Sequence, residues 1–118
     1  MKLSVVISTY NSSTVIKDCL ESIKGVADEI IIVDNGSNDN TTTLVKAYTS
    51  KIYQHKNNPL MLNKAKNYGF GKARGEWVLS LDPDERLSDE LARQIKSVVK
   101  KRESSIFYYE IVIQVYIE

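Results

Sequence analysis

Two carboxylates one residue apart, Asp82 and Asp84, close the apolar run Trp77-Val78-Leu79-Ser80-Leu81 and flank a proline, Pro83. Hard oxygen donors at that spacing suit a divalent cation such as Mg2+ or Mn2+, which keeps part of its water and takes further oxygens from phosphate. A cation held there would neutralise a diphosphate leaving group. A second polar run, Asp34-Asn35-Gly36-Ser37-Asn38-Asp39, also follows apolar residues. Its leading carboxylate can accept from a nucleobase N–H or from ribose hydroxyls. A third, Thr9-Tyr10-Asn11, adds an aromatic face for stacking. Singly these are weak signals, because Asp, Pro and Asn-Gly are above all turn formers. Their repetition behind three apolar runs is what carries information.

Those runs are the strands that must position the polar groups. Trp77 to Leu81 has no polar alternation and reads as a central strand buried on both faces. Pro83 cannot donate to a ladder and biases Asp82 toward an extended backbone, so the strand stops there. Leu3 to Ser8 and Glu29 to Val33 are two further buried strands, Lys51 to Gln54 a weaker one, and Ser105 to Glu118 a long last one. Helical spacing fills the gaps over Thr14 to Lys24, Thr41 to Ser50, Leu62 to Ala73 and Asp89 to Lys101. Ser13 and Ser88 are the expected N-caps, and Gly25 the expected C-terminal stop of the first helix. Gly69 and Gly71 each weaken the third helix by about 1 kcal/mol relative to alanine, unless they let it pack tightly under a sheet. This alternation predicts an α/β fold, a mostly parallel sheet with helices on both faces. Ligands of such sheets bind beyond the carboxyl ends of the strands, where all three polar runs fall.

The 118 residues make one domain's worth of chain, 42% apolar and 26% charged, which excludes a disordered class. Sixteen basic and fifteen acidic residues leave a net charge of +1, which gives no support to a nucleic-acid partner. A single cysteine cannot form an internal disulfide, and the apolar N-terminus is too short for a signal or a span, so a cytoplasmic location is expected. Cys19 falls on the apolar stripe of the first helix and reads as core. His55 reads as a solvated loop residue, Trp77 and the tyrosines Tyr108, Tyr109 and Tyr116 as packing. Lys96, Lys100, Lys101 and Arg102 complement a helix dipole. The apolar run Ile111 to Ile117 has no polar tail. It reads as part of a longer enzyme, with self-association through this strand.

Four motifs together resemble the family 2 glycosyltransferases, inverting enzymes with the Rossmann-like GT-A fold. Val5-Val6-Ile7-Ser8-Thr9-Tyr10-Asn11 is similar to their opening strand, and Ile31-Ile32-Val33-Asp34-Asn35-Gly36-Ser37-Asn38-Asp39 to their second motif. Ala65-Lys66-Asn67-Tyr68-Gly69 with Ala73-Arg74-Gly75-Glu76-Trp77 resembles their Ala-Arg-Asn-x-Gly segment and its sequel, and Leu81-Asp82-Pro83-Asp84-Glu85 their Asp-x-Asp motif. The resemblance covers Leu3 to about Leu91. It implies a donor-binding half that takes a nucleotide-diphospho-sugar and serves cell-envelope polysaccharide synthesis. Thr9 and Tyr10 would line the base pocket, Asp34 would pair with the base, and Asn11, Gly36 and Ser37 would belong to the same nucleotide-sugar site. Lys66 would lie by the nucleotide or its phosphates, where the family usually has arginine; lysine keeps the charge and loses the bidentate fork. Asp82 would lie by the ribose or the metal, and Asp84 would ligate Mg2+ or Mn2+.

The acceptor implied is a saccharide or a lipid-linked group, the latter at the inner face of a membrane. Inversion needs a general base, which family members carry well beyond the Asp-x-Asp. Glu110 and Glu118 sit in no recognisable base motif, so weak donor binding without efficient transfer is expected of these residues. A sugar-nucleotidyltransferase would show a Gly- and Arg-rich loop where Ser8 to Ser13 stands. A receiver-like or other non-catalytic module would show an acidic pair there.

Overall fold

A computed structural model of the chain describes residues 2–55 and 62–100. Four strands, β1 (Leu3–Thr9), β2 (Glu29–Asp34), β3 (Ile52–Gln54) and β4 (Trp77–Leu81), form a wholly parallel sheet in the order β3-β2-β1-β4. Four helices alternate with them: α1 (Ile16–Ile23), α2 (Thr41–Val45), α3 (Leu62–Lys72) and α4 (Asp89–Lys100). The expected α/β alternation is therefore present. The expected strand over Ser105 to Glu118, and self-association through it, lie outside the described residues.

All seven residues of β1 are buried, because strands flank it on both sides and helices cover both faces. Side chains of a strand alternate between faces, and the core divides accordingly. Val5 and Ile7 join Ile32, Leu79 and Leu81 on the face packed by Ile16, Cys19, Leu20 and Ile23 of α1 and Ile95 and Val99 of α4. Val6, Ile31 and Val33 point the other way, onto Ala65 of α3. Gly69 brings α3 down onto that face. A Cβ on Gly69 would lie 2.4 Å from Val6 Cγ1 and 3.0 Å from Val33 Cγ2. Gly71 meets nothing within 4 Å, so close packing explains only the first of the two glycines.

Several expected details are corrected. Among the described residues β4 is an edge strand, not a central one, and Val78 is 45% exposed while Leu79 and Leu81 are buried. Helix α1 begins at Ile16 without a side-chain cap; Ser13 instead donates its N–H to Asp39 Oδ2 at 3.2 Å. Gly25 is not in the left-handed region, and the end of α1 is closed by Val26 and Ala27 N–H groups donating to the Ile23 carbonyl. Helix α2 stops at Val45 and continues only as turns. Ser88 does cap α4, its Oγ accepting from the Leu91 N–H at 3.1 Å.

At the amino edge of the sheet one buried carboxylate gathers four segments. Glu29 Oε1 accepts from Ser4 Oγ at 2.7 Å and from the Arg74 N–H at 2.9 Å, and Oε2 pairs with Lys51 Nζ. Ser4 Oγ in turn accepts from the Gly75 N–H at 2.8 Å. A Cβ on Gly75 would lie 2.7 Å from Ser4 N and Oγ, so only glycine lets that turn approach. Burial opposes the charge on Glu29, but the bonds from Lys51, Ser4 and Arg74 outweigh it and hold its carboxyl down at about 2.

Candidate functional site

The register fixes where the polar runs emerge. Thr9 stands opposite Asp34, Asp34 opposite Gln54, and Ile7 opposite Leu81, so the three runs leave neighbouring strand ends on one carboxyl edge. They form two hydrogen-bonded clusters, one between the β1 and β2 loops and one at the end of β4.

In the first cluster Asp34 is buried and its carboxylate is fully engaged. Oδ1 accepts from Thr9 Oγ1 at 2.7 Å and from Ser37 Oγ at 2.6 Å. Oδ2 accepts from the Ser37 N–H at 2.9 Å and the Gly36 N–H at 3.2 Å. Four bonds exhaust a carboxylate's usual acceptor sites. Gly36 has φ +86°, a left-handed turn that favours glycine and lets the loop fold back onto that carboxylate. Thr9 is likewise buried with its hydroxyl committed. Asn11, also left-handed at φ 47°, ties the two loops together. Its N–H donates to Ser37 Oγ at 2.9 Å, and its Oδ1 accepts from the Asn38 N–H at 2.7 Å. The Ser12 N–H donates to Thr41 Oγ1 at 2.8 Å. The Asp39 carboxyl is held down at about 2, chiefly by the Thr41 hydroxyl, with Ser13 adding to it.

Sequence reasoning passed over Asn35. Its Nδ2 donates to Ser8 Oγ at 2.9 Å and to the Thr9 carbonyl at 3.0 Å, which turns Oδ1 the other way. That oxygen is buried and has no hydrogen-bond partner among the described residues. A buried acceptor left open is costly unless something else supplies a donor. The available signal was the polar pair Asp34-Asn35 at a strand end, from which the member with the unpartnered oxygen could not be chosen. Tyr10, at the same edge, is 38% exposed and offers its ring. His55 is not a free loop residue: its N–H donates to the Asp34 carbonyl at 2.8 Å, and its ring lies 5.3 Å from that of Tyr68.

The second cluster is the acidic turn. Strand β4 ends at Leu81 as Pro83 requires. The Glu85 N–H donates to the Asp82 carbonyl at 3.0 Å, closing a turn with Pro83 in its favoured second position. The Asp82 N–H donates to Glu85 Oε1 at 2.7 Å, so Glu85 braces the turn. Helix α1 supports it from below. Cys19 Sγ lies 3.7 Å from the Asp82 carbonyl, and Ser22 Oγ accepts from the Leu87 N–H at 3.0 Å. Burial, then the charges of Glu85, Asp84 and Asp82, push the Cys19 thiol up to about 12. Cys19 is thus a protonated core residue, as expected. Lys66 reaches across from α3, Nζ 2.9 Å from Asp82 Oδ1. Asp84 stands exposed at the tip of the turn.

No three His, Cys, Asp or Glu side chains converge as a metal cage among the described residues. The donor set of Asp84 and Asp82 still fits Mg2+ or Mn2+, which bind through one or two carboxylates and complete their shell with water and phosphate oxygens. Glu110 and Glu118, weighed for the general base, lie outside the described residues. No helix among the described residues is long and apolar enough to cross a membrane.

Comparison with known proteins agrees with this architecture. The family model described as Glycosyl transferase family 2 matches residues 4–114. A protein named as an uncharacterized glycosyltransferase from Rickettsia prowazekii (strain Madrid E) is 34% identical over 98 residues, which is 82% of this chain and 32% of that protein. The chain therefore spans about a third of the length of such relatives. The poly(ribitol-phosphate) beta-N-acetylglucosaminyltransferase TarS of Staphylococcus aureus (strain Mu50) is 29% identical over 115 residues, covering 90% of this chain and 20% of TarS. The crystal structure of S. aureus TarS 1-349 in complex with UDP-GlcNAc matches with TM-score 0.72 and 30% identity, over 84% of this chain and 31% of that one. Glucosyl-3-phosphoglycerate synthase from Mycobacterium tuberculosis, in complex with Mn2+ and UDP-glucose, shares the fold at TM-score 0.62 and 23% identity, over 72% of this chain and 34% of that one. These neighbours bear out the GT-A architecture.

Proposed function

This chain belongs to glycosyl transferase family 2, and on that premise we propose that its carboxyl edge binds a uridine diphospho-sugar for inverting transfer to an acceptor hydroxyl. The observation that carries the reading is the conjunction, on adjacent strand ends, of an exposed tyrosine, an open buried acceptor and an acidic turn. Tyr10 stacks on the base. Asn35 Oδ1, buried in this structure, accepts the N3–H of uracil once the ligand displaces what covers it, a role that falls to it because the Asp34 oxygens are already engaged. Thr9, Asn11, Asp34, Gly36 and Ser37 hold the walls of the base pocket in place. TarS, 30% identical and crystallised with UDP-GlcNAc, supports uridine as the nucleoside.

Asp84, with Asp82 beside it, would hold Mg2+ or Mn2+, and Lys66 adds positive charge at the same corner. When bound, the cation stabilises the charge that develops on the departing diphosphate. The acceptor, a saccharide or a lipid-linked group, attacks the anomeric carbon opposite the leaving group and inverts it. No described residue is assigned to take its proton.

Isothermal titration with UDP-GlcNAc and Mn2+ tests the reading. Saturable binding is expected, weakened at least tenfold by Tyr10→Ala and by Asp84→Asn, with melting temperatures close to that of the unaltered chain; the tenfold figure is about 1.4 kcal/mol, typical of one aromatic or charged contact. Equal affinity for GDP- and UDP-sugars would overturn the choice of base. Binding indifferent to Mn2+ would overturn the cation.

A further inference from the structure

We propose that Lys66 is a built-in counter-ion of Asp82 that must let go before a divalent cation can use that carboxylate, so that cation and nucleotide enter together. The inference rests on the assignment of Asp82 and Asp84 to the cation corner.

The ammonium of Lys66 lies 2.9 Å from Asp82 Oδ1, a charge-assisted hydrogen bond from α3 on one sheet face to the end of β4. A positive charge there competes directly with a second cation for the same oxygens. The backbone of Asp82 is pinned, so its carboxylate stays at this corner and only its side-chain rotation is free. Its N–H is held by Glu85 Oε1, and its carbonyl by the Glu85 N–H and the Cys19 thiol. The mobile partner is the lysine, a compact charge on a flexible four-carbon stem. It needs another acceptor to leave for, and the phosphate oxygens of the donor are such acceptors within the same corner. The exposed Asp84 alone is a poor cation site, so affinity for metal without nucleotide is low. By linkage, whatever factor the nucleotide adds to cation affinity the cation adds to nucleotide affinity.

The test uses the full chain and two readouts that need no turnover. Mn2+ binding is followed by electron paramagnetic resonance with and without UDP, and UDP binding by calorimetry. Lys66→Met should bind Mn2+ alone roughly three- to fivefold more tightly than the unaltered chain, the upper range for an ion pair whose partners are 27% and 49% exposed. The enhancement of Mn2+ affinity by UDP should shrink by about the same factor. Lys66→Arg should keep the enhancement. Lys64→Met removes an exposed charge two residues away and measures the long-range electrostatic share, which should be small. If Lys66→Met and Lys64→Met behave alike while Asp84→Asn abolishes Mn2+ binding, the counter-ion role is overturned and the cation corner stands. If no variant binds Mn2+ even with UDP, the cation assignment itself fails, and the inference with it.

Discussion

In the proposed reading two adjacent residues divide the work, Asp34 holding the pocket and Asn35 contacting the base. Asp34 has four internal donors and Asn35 an open acceptor. Asp34→Ala leaves Thr9 and the loop N–H groups unpartnered and should lower stability by about 1–3 kcal/mol, with loss of UDP affinity following loss of structure. Asn35→Ala should weaken UDP binding roughly fivefold to a hundredfold through the lost base contact, beyond what its stability change accounts for. Urea denaturation paired with calorimetry separates the two. If Asp34→Ala binds UDP normally while folded, and Asn35→Ala also does, the base contact lies elsewhere. The sequence pointed to Asp34 in this loop, whose oxygens the fold engages internally. Which of two successive polar residues at a strand end keeps an unpartnered atom is decided by the fold-back of Gly36 and Ser37, which composition does not display.

Helices and strands were legible where a single period ruled. The apolar stripe of α1, the Ser88 cap of α4 and the stop at Pro83 all follow from local chemistry. The place of β4 did not. Trp77-Val78-Leu79 is apolar throughout, and nothing local distinguishes a strand covered on both faces from one whose Val78 stands open. The two glycines of α3 were equally ambiguous, because what Gly69 touches, and Gly71 does not, comes from β1 and β2, more than thirty residues earlier in the chain. They now make a paired prediction. Gly69→Ala drives a methyl into Val6 and should cost about 1–3 kcal/mol. Gly71→Ala meets open space and should stabilise by roughly 0.5–1 kcal/mol, the helix preference of alanine over glycine. Thermal melts of the two variants are expected to shift in opposite directions; equal shifts would deny the close approach of α3 to the sheet.

The molecule as a whole divides its work between the two edges of one sheet. The carboxyl edge gathers the candidate ligand groups, and the amino edge is closed by Glu29. Because the Glu29 carboxyl falls from 4.5 to about 2 on folding, its contribution is present above pH 4.5 and is lost as pH falls toward 2. Glu29→Gln should therefore be less stable at neutral pH, by about 1–3 kcal/mol. The gap from the unaltered chain should close as pH approaches 2, as read by urea denaturation across that range. A gap independent of pH would show that the charge on Glu29 is not what holds the edge. None of this could be seen in a sequence where Glu29 is merely the first residue of a strand and its partners lie 25, 22 and 45 residues away.

Such separations also bear on time. The carboxylate joins Ser4, Lys51 and Arg74 only once β1, β2, β3 and the turn before β4 are together, so its bonds are expected to form after the folding transition state. Interactions absent from the transition state leave the folding rate alone and slow escape from the native state. Stopped-flow measurements on Glu29→Gln should show an unchanged refolding arm and a faster unfolding arm. The tie at the amino edge would then act as a latch that governs how long the sheet stays closed once formed.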